Sequence, residues 1–207
     1  MRILAITDTH GDLDSLEKAI RAAGMVDAIL VLGDVGVTRT AIRRVYRRLS
    51  ETGIRTYVIH GNHEDEDVAH EVASEYGLRF VHRGTDPLDD FVVIGYGGDG
   101  FSLERDDLDS FSSALPGDIA HRCIVMTHAP PSNTVLDDLD GDHVGDASVR
   151  RLIERTKPLV ALSGHLHENF HEGGTLGDTI IANPGDTGTL VIINPTAQGY
   201  AVSLKRL

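Results

Sequence analysis

The sequence predicts an α/β fold built on a parallel sheet, and three observations carry this. Strand-like and helix-like patterns alternate three times between Arg2 and Tyr76. Each strand in that alternation is a short apolar or β-branched run that ends in a turn bearing Asp, Asn or His. No linker, internal repeat or low-complexity stretch divides the chain, so residues 1–207 read as one domain, long enough to bury a substantial core.

Arg2 to Thr7 is the first strand, closing on Asp8-Thr9-His10-Gly11. Asp12 suits an N-cap, and Leu13, Leu16, Ile20 and Ala23 fall on one face of the helix that follows. Gly24 stops that helix. Ala28 to Leu32 is the second strand and ends in Gly33-Asp34. A second helix starts near Thr38, turns Ile42, Val45, Tyr46 and Leu49 inward, and stops at Gly53. Its other faces carry Arg39, Arg43, Arg44, Arg47 and Arg48. These read as a solvated face paired with acids, with a partner site as the alternative. Thr56 to His60 is the third strand and leads into Gly61-Asn62-His63-Glu64. The third helix is expected to begin at Glu64, because Glu64, Asp65, Glu66 and Asp67 suit the positive end of a helix dipole.

The pattern then changes. Arg79 to His82 and Phe91 to Tyr96 read as strands joined by a turn at Asp86-Pro87. Gly95 to Gly100 lacks the Lys-Ser/Thr of a phosphate-cradling loop and reads as a plain loop. Arg105 to Ala114 is a short helix, and Cys123 to Met126 is a strand ending in Thr127-His128-Ala129-Pro130-Pro131. The acidic run Asp137 to Asp142 lacks the closing Glu of a calcium loop and reads as a polar loop. A helix from Asp146 to Lys157 precedes the strand Leu159 to Leu162, which ends in Ser163-Gly164-His165-Leu166-His167. Thr179 to Ala182, Thr189 to Ile193 and Tyr200 to Leu204 are further strands.

Composition narrows the function classes. No apolar run approaches the ~20 residues of a membrane span, and Asp8 closes the first apolar stretch too early for a signal peptide. A single Cys123 excludes a disulfide framework, so a cytoplasmic location is expected. A net charge of −13 opposes general nucleic-acid binding, which needs cations to replace phosphate counterions. That charge comes from 22 Asp and 10 Glu against 16 Arg and only 3 Lys. Such a surface resembles proteins of salt-accumulating halophiles, and stability measured against KCl tests that expectation.

The strand ends together supply Asp8, His10, Asp34, Asn62, His63, His128, His165 and His167. Functional residues of open α/β sheets gather at the carboxyl ends of strands, so these eight are expected to converge. Burying that many polar groups without a shared partner would be costly, which points to metal. Mixed carboxylate, amide and imidazole ligands suit manganese, iron, cobalt, nickel or zinc. Seven ligands exceed one tetrahedral ion but fit two ions sharing a carboxylate, the usual device for in-line phosphoryl displacement.

Asp8-x-His10, Gly33-Asp34, Gly61-Asn62-His63-Glu64, His128 and Gly164-His165-x-His167, in this order, resemble the calcineurin-like metallophosphoesterase superfamily. The resemblance implies a four-layer αββα sandwich, with two mixed β-sheets face to face and helices outside each. It also implies a small, uncapped, phosphodiesterase-like member. Asp8, His10, Asp34 and His167 would hold one divalent ion, and Asp34, Asn62, His128 and His165 the other, with Asp34 bridging. Manganese is the expected metal. A hydroxide shared by the ions would attack phosphorus in line, and His63 would protonate the leaving oxygen. Small phosphodiesters are the favoured substrates, with phosphomonoesters or nucleic acid as alternatives within the superfamily. A catalytically silent protein-binding scaffold is the reading from another class, and association with further copies of the chain stays open.

Other residues carry weaker expectations. His143 is expected to face the substrate. His60 reads as structural, Asp12 and Glu64 as helix starts, Asn183-Pro184-Gly185 as a structural turn, and His70, His82, His121 and His171 as surface residues.

Overall fold

Strand side chains alternate between two faces, and here both faces of most strands are apolar. A computed structural model, describing residues 1–207, shows where each face goes. The chain begins β1 (Arg2–Ile6), α1 (Leu13–Ala23), β2 (Ala28–Val31), α2 (Arg39–Ser50), β3 (Arg55–Val58), α3 (Glu66–Glu75) and β4 (Arg79–Phe80). It continues with β5 (Gly84–Leu88), β6 (Phe91–Tyr96), α4 (Asp106–Ala114), β7 (Cys123–Thr127), the two-residue strands β8 (Asp138–Leu139) and β9 (Asp142–His143), and α5 (Ala147–Thr156). β10 (Val160–Leu162), β11 (Gly173–Leu176), β12 (Thr179–Ala182), β13 (Thr189–Thr196) and β14 (Gly199–Arg206) complete it. None of its helices is long and apolar enough to cross a membrane.

Two six-stranded sheets form, in the orders β14-β13-β1-β2-β3-β4 and β11-β12-β10-β7-β6-β5. β1 to β4 run parallel, and so do β6, β7, β10 and β12, while the remaining pairings within the two sheets are antiparallel. Ile3, Ala5, Leu30 and Tyr57 of the first sheet pack against Val93, Ile124, Met126 and Leu162 of the second. The alternate residues Leu4, Ile6, Ile29 and Val31 face outward against Leu16, Ile42, Tyr46 and Val72 of α1, α2 and α3. Val125 and Ala161 face Leu108, Leu152 and Ile153 of α4 and α5. Three apolar layers between four structural layers make the αββα sandwich. Burying each large side chain contributes about 1.5–3 kcal/mol, so these layers dominate the favourable side of folding.

Asp12 caps α1 as expected, and Thr38 and Asp146, where helices are expected to start, cap α2 and α5. Three local expectations change. The third helix starts at Glu66, capped by Asp65, so Glu64 lies outside it. Asp86-Pro87 is not a turn: both residues sit in β5, paired with Val93 and Val92. β5 is an edge strand, where a missing N–H is tolerated. β4 and β5 also belong to different sheets, because the chain crosses over at Val81–Arg83. The arginines of α2 are largely paired. Arg39 meets Glu71 and Glu75, Arg43 meets Glu75, Arg47 meets Glu51 and Arg48 meets Glu17.

Candidate metal centre

The turns after β1, β2 and β3 of one sheet meet those after β7 and β10 of the other. Two glycines allow the approach. A Cβ on Gly164 would lie 2.0 Å from Thr7 Oγ1 and 2.4 Å from Asp8 Oδ2, and one on Gly61 would lie 2.0 Å from Asp34 Oδ1. Gly61 is therefore required by close contact with a carboxylate, since it is not among the positive-φ residues.

The predicted ligands converge in two groups. His10 Nε2 stands 3.2 Å from His167 Nε2, which is 3.5 Å from Asp8 Oδ1. His128 Nε2 lies 2.8 Å from Asn62 Oδ1 and 3.4 Å from Asp34 Oδ2, and His165 Nδ1 lies 3.0 Å from Asn62 Oδ1. Asp8 belongs to both compact groups, with His10 and His167 on one side and Asp34 and His128 on the other.

The donor set fits cations. His128 Nδ1 is 2.8 Å from the Leu32 carbonyl and donates to it, which turns Nε2 toward Asn62 Oδ1 and Asp34; a divalent ion bound there would take the place of the Nε2 proton. Asp8 Oδ1 is buried with no hydrogen-bond partner. Converging acceptors of this kind suit divalent ions with borderline ligand preference. The carboxylates and imidazoles of this cluster charge one another. Burial pushes the Asp34 carboxyl up, but His128 and the N–H of His63 outweigh it and hold it down at about 2. Burial likewise opposes charging His128, yet Asp34 and Asp8 lift it to about 9. The nearby Asp8 carboxylate raises His167, while burial lowers His165.

Asp8, His10, Asp34 and His165 have φ of 52°, 46°, 52° and 71°. This left-handed conformation costs a non-glycine residue roughly 1–2 kcal/mol. Each N–H is caught by a neighbouring turn. Asp8 donates to Gly33 O at 3.0 Å, His10 to Asp34 O at 2.9 Å, and His165 to Asp8 Oδ2 at 3.0 Å. Asp34 N–H donates to Glu64 Oε2 at 2.9 Å. The strain thus aims the ligands and is held by contacts between turns.

Glu64 is the functional residue that sequence reasoning missed. Its buried carboxylate accepts N–H bonds from Asp34, Val35, Gly36 and Gly61, and so ties the second turn to the third. Burial pushes its carboxyl up to about 7, against the pull of these amides. No local signal marks it, because the three acids after it suit a helix start equally well.

His63 donates its backbone N–H to Asp34 Oδ1 at 3.0 Å. Its half-exposed ring stands at the mouth, with Nε2 3.9 Å from Asp34 Oδ2. His143 is not among the ligands. It lies on β9, and its Nδ1–H donates to the fully buried Asp137 at 2.9 Å. Asn169, two residues beyond His167, fastens this hairpin through Leu136 O and Asp138 O.

His60 is buried against Phe80 and His82, as a structural residue, and burial lowers it to about 4. His82 is a correction: its side chain is buried and burial lowers it to about 3, so its ring is neutral. With Glu66 and His60 it makes a third group of metal-type atoms. However, Gly97 N–H donates to His82 Nδ1 at 2.8 Å, which leaves the proton on Nε2, 3.5 Å from Glu66. That nitrogen, protonated and without a hydrogen-bond partner, is no ligand. His171 is half-buried near Thr187, while His70 and His121 are exposed. Asn183 is structural, bonding Leu166 O and Gly185 N–H.

The fold and this ligand set define a metal-dependent phosphoester hydrolase class. The profile of the calcineurin-like phosphoesterases matches residues 1–169, and the chain belongs to that family. Its fold is similar to that of TT1561 from Thermus thermophilus, at 21% identity and a TM-score of 0.75, covering 98% of this chain and 97% of that one. It is also similar to phosphopantetheinyl hydrolase (PptH) from Mycobacterium tuberculosis, at 12% identity, a TM-score of 0.67 and 88% of each chain. The sulfate thiohydrolase SoxB of Thermus thermophilus aligns at 15% identity and a TM-score of 0.57, over 96% of this chain and 42% of its own. No curated protein sequence matches the chain.

Proposed function

We propose that this protein hydrolyses small phosphodiesters using two divalent ions, manganese foremost. Asp8, His10, Asp34 and His167 would hold one ion, and Asp34, Asn62, His128 and His165 the other. The observation that carries this reading is the convergence of groups from both sheets, with imidazole nitrogens and the Asn62 amide oxygen 2.8–3.2 Å from their neighbours, and with the buried Asp8 carboxylate grouped with His10 and His167 and with Asp34 and His128. When bound, such ions supply Lewis-acid charge to the phosphoryl oxygens and activate water.

The chain's own residues do the rest. Glu64 holds the Asp34 and Gly61 turns in one register. The backbone N–H of His63 fixes one Asp34 oxygen and leaves the other facing His128. The His63 ring, half-exposed beside that carboxylate, donates a proton to the leaving oxygen. His143, its tautomer set by Asp137, contacts the substrate from the β8–β9 hairpin.

His63→Ala separates these roles. It is expected to retain bound metal while losing about 100-fold or more in kcat for an alkyl phosphodiester, and less for an activated aryl ester. Equal losses for both would remove the proton-donor role. Asp34→Asn should lower the content of both ions, measured by elemental analysis. Unchanged stoichiometry would rule out Asp34 as a shared ligand. A screen of the Mn²⁺-loaded protein against aryl diesters, aryl monoesters, cyclic nucleotides and short oligonucleotides tests the substrate class. No turnover of any phosphoester would favour the scaffold reading.

A further inference from the structure

Most large aromatic side chains of this protein are spoken for. Phe80 stacks on His60 and His70, Phe91 meets Tyr200, Phe111 meets Tyr96, and Phe170 meets His167. Phe101 differs: it is 78% exposed. Its one aromatic neighbour is His165, whose ring it meets edge-on at 5.0 Å between centroids and 86° between planes. An uncovered apolar ring therefore borders the candidate ligand set.

The segment that carries this ring is pinned. Asp99 Oδ1 accepts N–H bonds from Gly100, Phe101 and Ser102 at 2.6, 2.9 and 3.2 Å, and its other oxygen accepts the Ser102 hydroxyl. Upstream, Gly98 N–H donates to His60 O at 2.8 Å, and downstream Leu103 O accepts from Ala147 N–H at 2.8 Å. Gly100 lies so close to His165 that a Cβ there would fall 2.3–2.5 Å from ring atoms. Arg105, paired with the buried Asp146 at 2.7 Å, anchors the end of the segment. The backbone thus holds the ring beside His165 with one face open.

We propose that Phe101 is a specificity-determining residue: its open face stacks on the organic group of the phosphoester, selecting a flat aryl or heteroaromatic group over an alkyl one. This rests on the phosphoesterase reading above. Aromatic stacking of this kind supplies about a tenfold preference.

The test uses the full-length, Mn²⁺-loaded protein and two non-hydrolysable probes, phenylphosphonate and methylphosphonate, titrated by calorimetry. The wild type should bind phenylphosphonate about tenfold more tightly. Phe101→Ala should bring the two probes within twofold while leaving methylphosphonate affinity and metal content unchanged, and Phe101→Tyr should restore the preference. Three results would overturn the proposal: a preference that survives Phe101→Ala, equal weakening of both probes, or a changed oligomeric state with the preference intact. Hydrolysis of aryl phosphoesters by a wild type with no phenyl preference removes the Phe101 role alone. A wild type that binds neither phosphonate and turns over no phosphoester removes the underlying reading with it.

Discussion

The two sheets contribute unlike halves to the site. On the first sheet, Asp8, His10, Asp34, Asn62 and His63 sit in tight turns that follow β1, β2 and β3 directly. Three of these residues are held in left-handed backbone conformations by bonds from one turn to the next. On the second sheet, His128, His165 and His167 are flanked by longer segments, Gly97–Arg105 and Pro130–Asp146. Pro130–Asp146 is fixed by the buried Asp137, and Gly97–Arg105 by Asp99 and the Arg105–Asp146 pair. Short turns leave little freedom, so they suit groups that must be placed to a fraction of an ångström. Longer loops can vary in sequence and shape while the scaffold stays put, which suits them to reading the substrate. The difference teaches that turns from both sheets meet at the candidate metal centre, while the longer segments beside it belong to the second sheet alone.

Substitutions in the tight half should have the largest effects. Gly61→Ala drives a methyl into Asp34 Oδ1. It should lower kcat by about 100-fold and weaken metal binding, because displacement of about 1 Å at a ligand costs that much. Near-normal kcat with full metal content would show that the turn can move, and would break the contrast. Glu64→Gln replaces two accepting oxygens with an oxygen and an amide that confronts backbone N–H groups. It should cost about 2–4 kcal/mol in urea unfolding and reduce activity, since buried donors are left unpaired.

The loop half should respond more mildly and differently. Asp137→Asn loosens the bonds to Asn133, Thr134, Gly145 and His143. It should cost about 1–3 kcal/mol, and raise KM with kcat and metal content unchanged. A fall in kcat without a change in KM would place this loop in the chemical half. Asp12→Ala lies in neither half. Losing its cap bonds to Asp14 and Ser15 should cost about 1 kcal/mol in urea unfolding and leave kcat/KM unchanged, which sets the scale for a purely structural change.

Much of the geometry of the tight half was legible in the sequence, because its candidate ligands fall at strand ends and strands announce themselves by apolar runs. Its brace was not. Glu64 reads as the first acid of a helix, and only the approach of Val35 and Gly36 from the preceding turn makes it a buried tie. The open ring of Phe101 was equally hidden, since its place beside His165 depends on two distant segments packing together. His82 reads as a surface histidine but is enclosed by His60, Phe80 and Tyr96 from three different strands or turns.

By itself the sequence determined the local and the additive: which residues alternate in and out of strands, that Asp12 caps a helix and that helices start near Thr38 and Asp146, and which side chains have the chemistry to bind metal. Only the tertiary structure decided that β4 and β5 part into different sheets, that Asp8 stands between both ligand groups, and that Glu64 locks the Asp34 and Gly61 turns together. The physical reason is range. Caps and periodicity act over a few residues, whereas strand pairing, close glycine contacts and buried carboxylate bonds join positions from about thirty to more than a hundred and fifty residues apart.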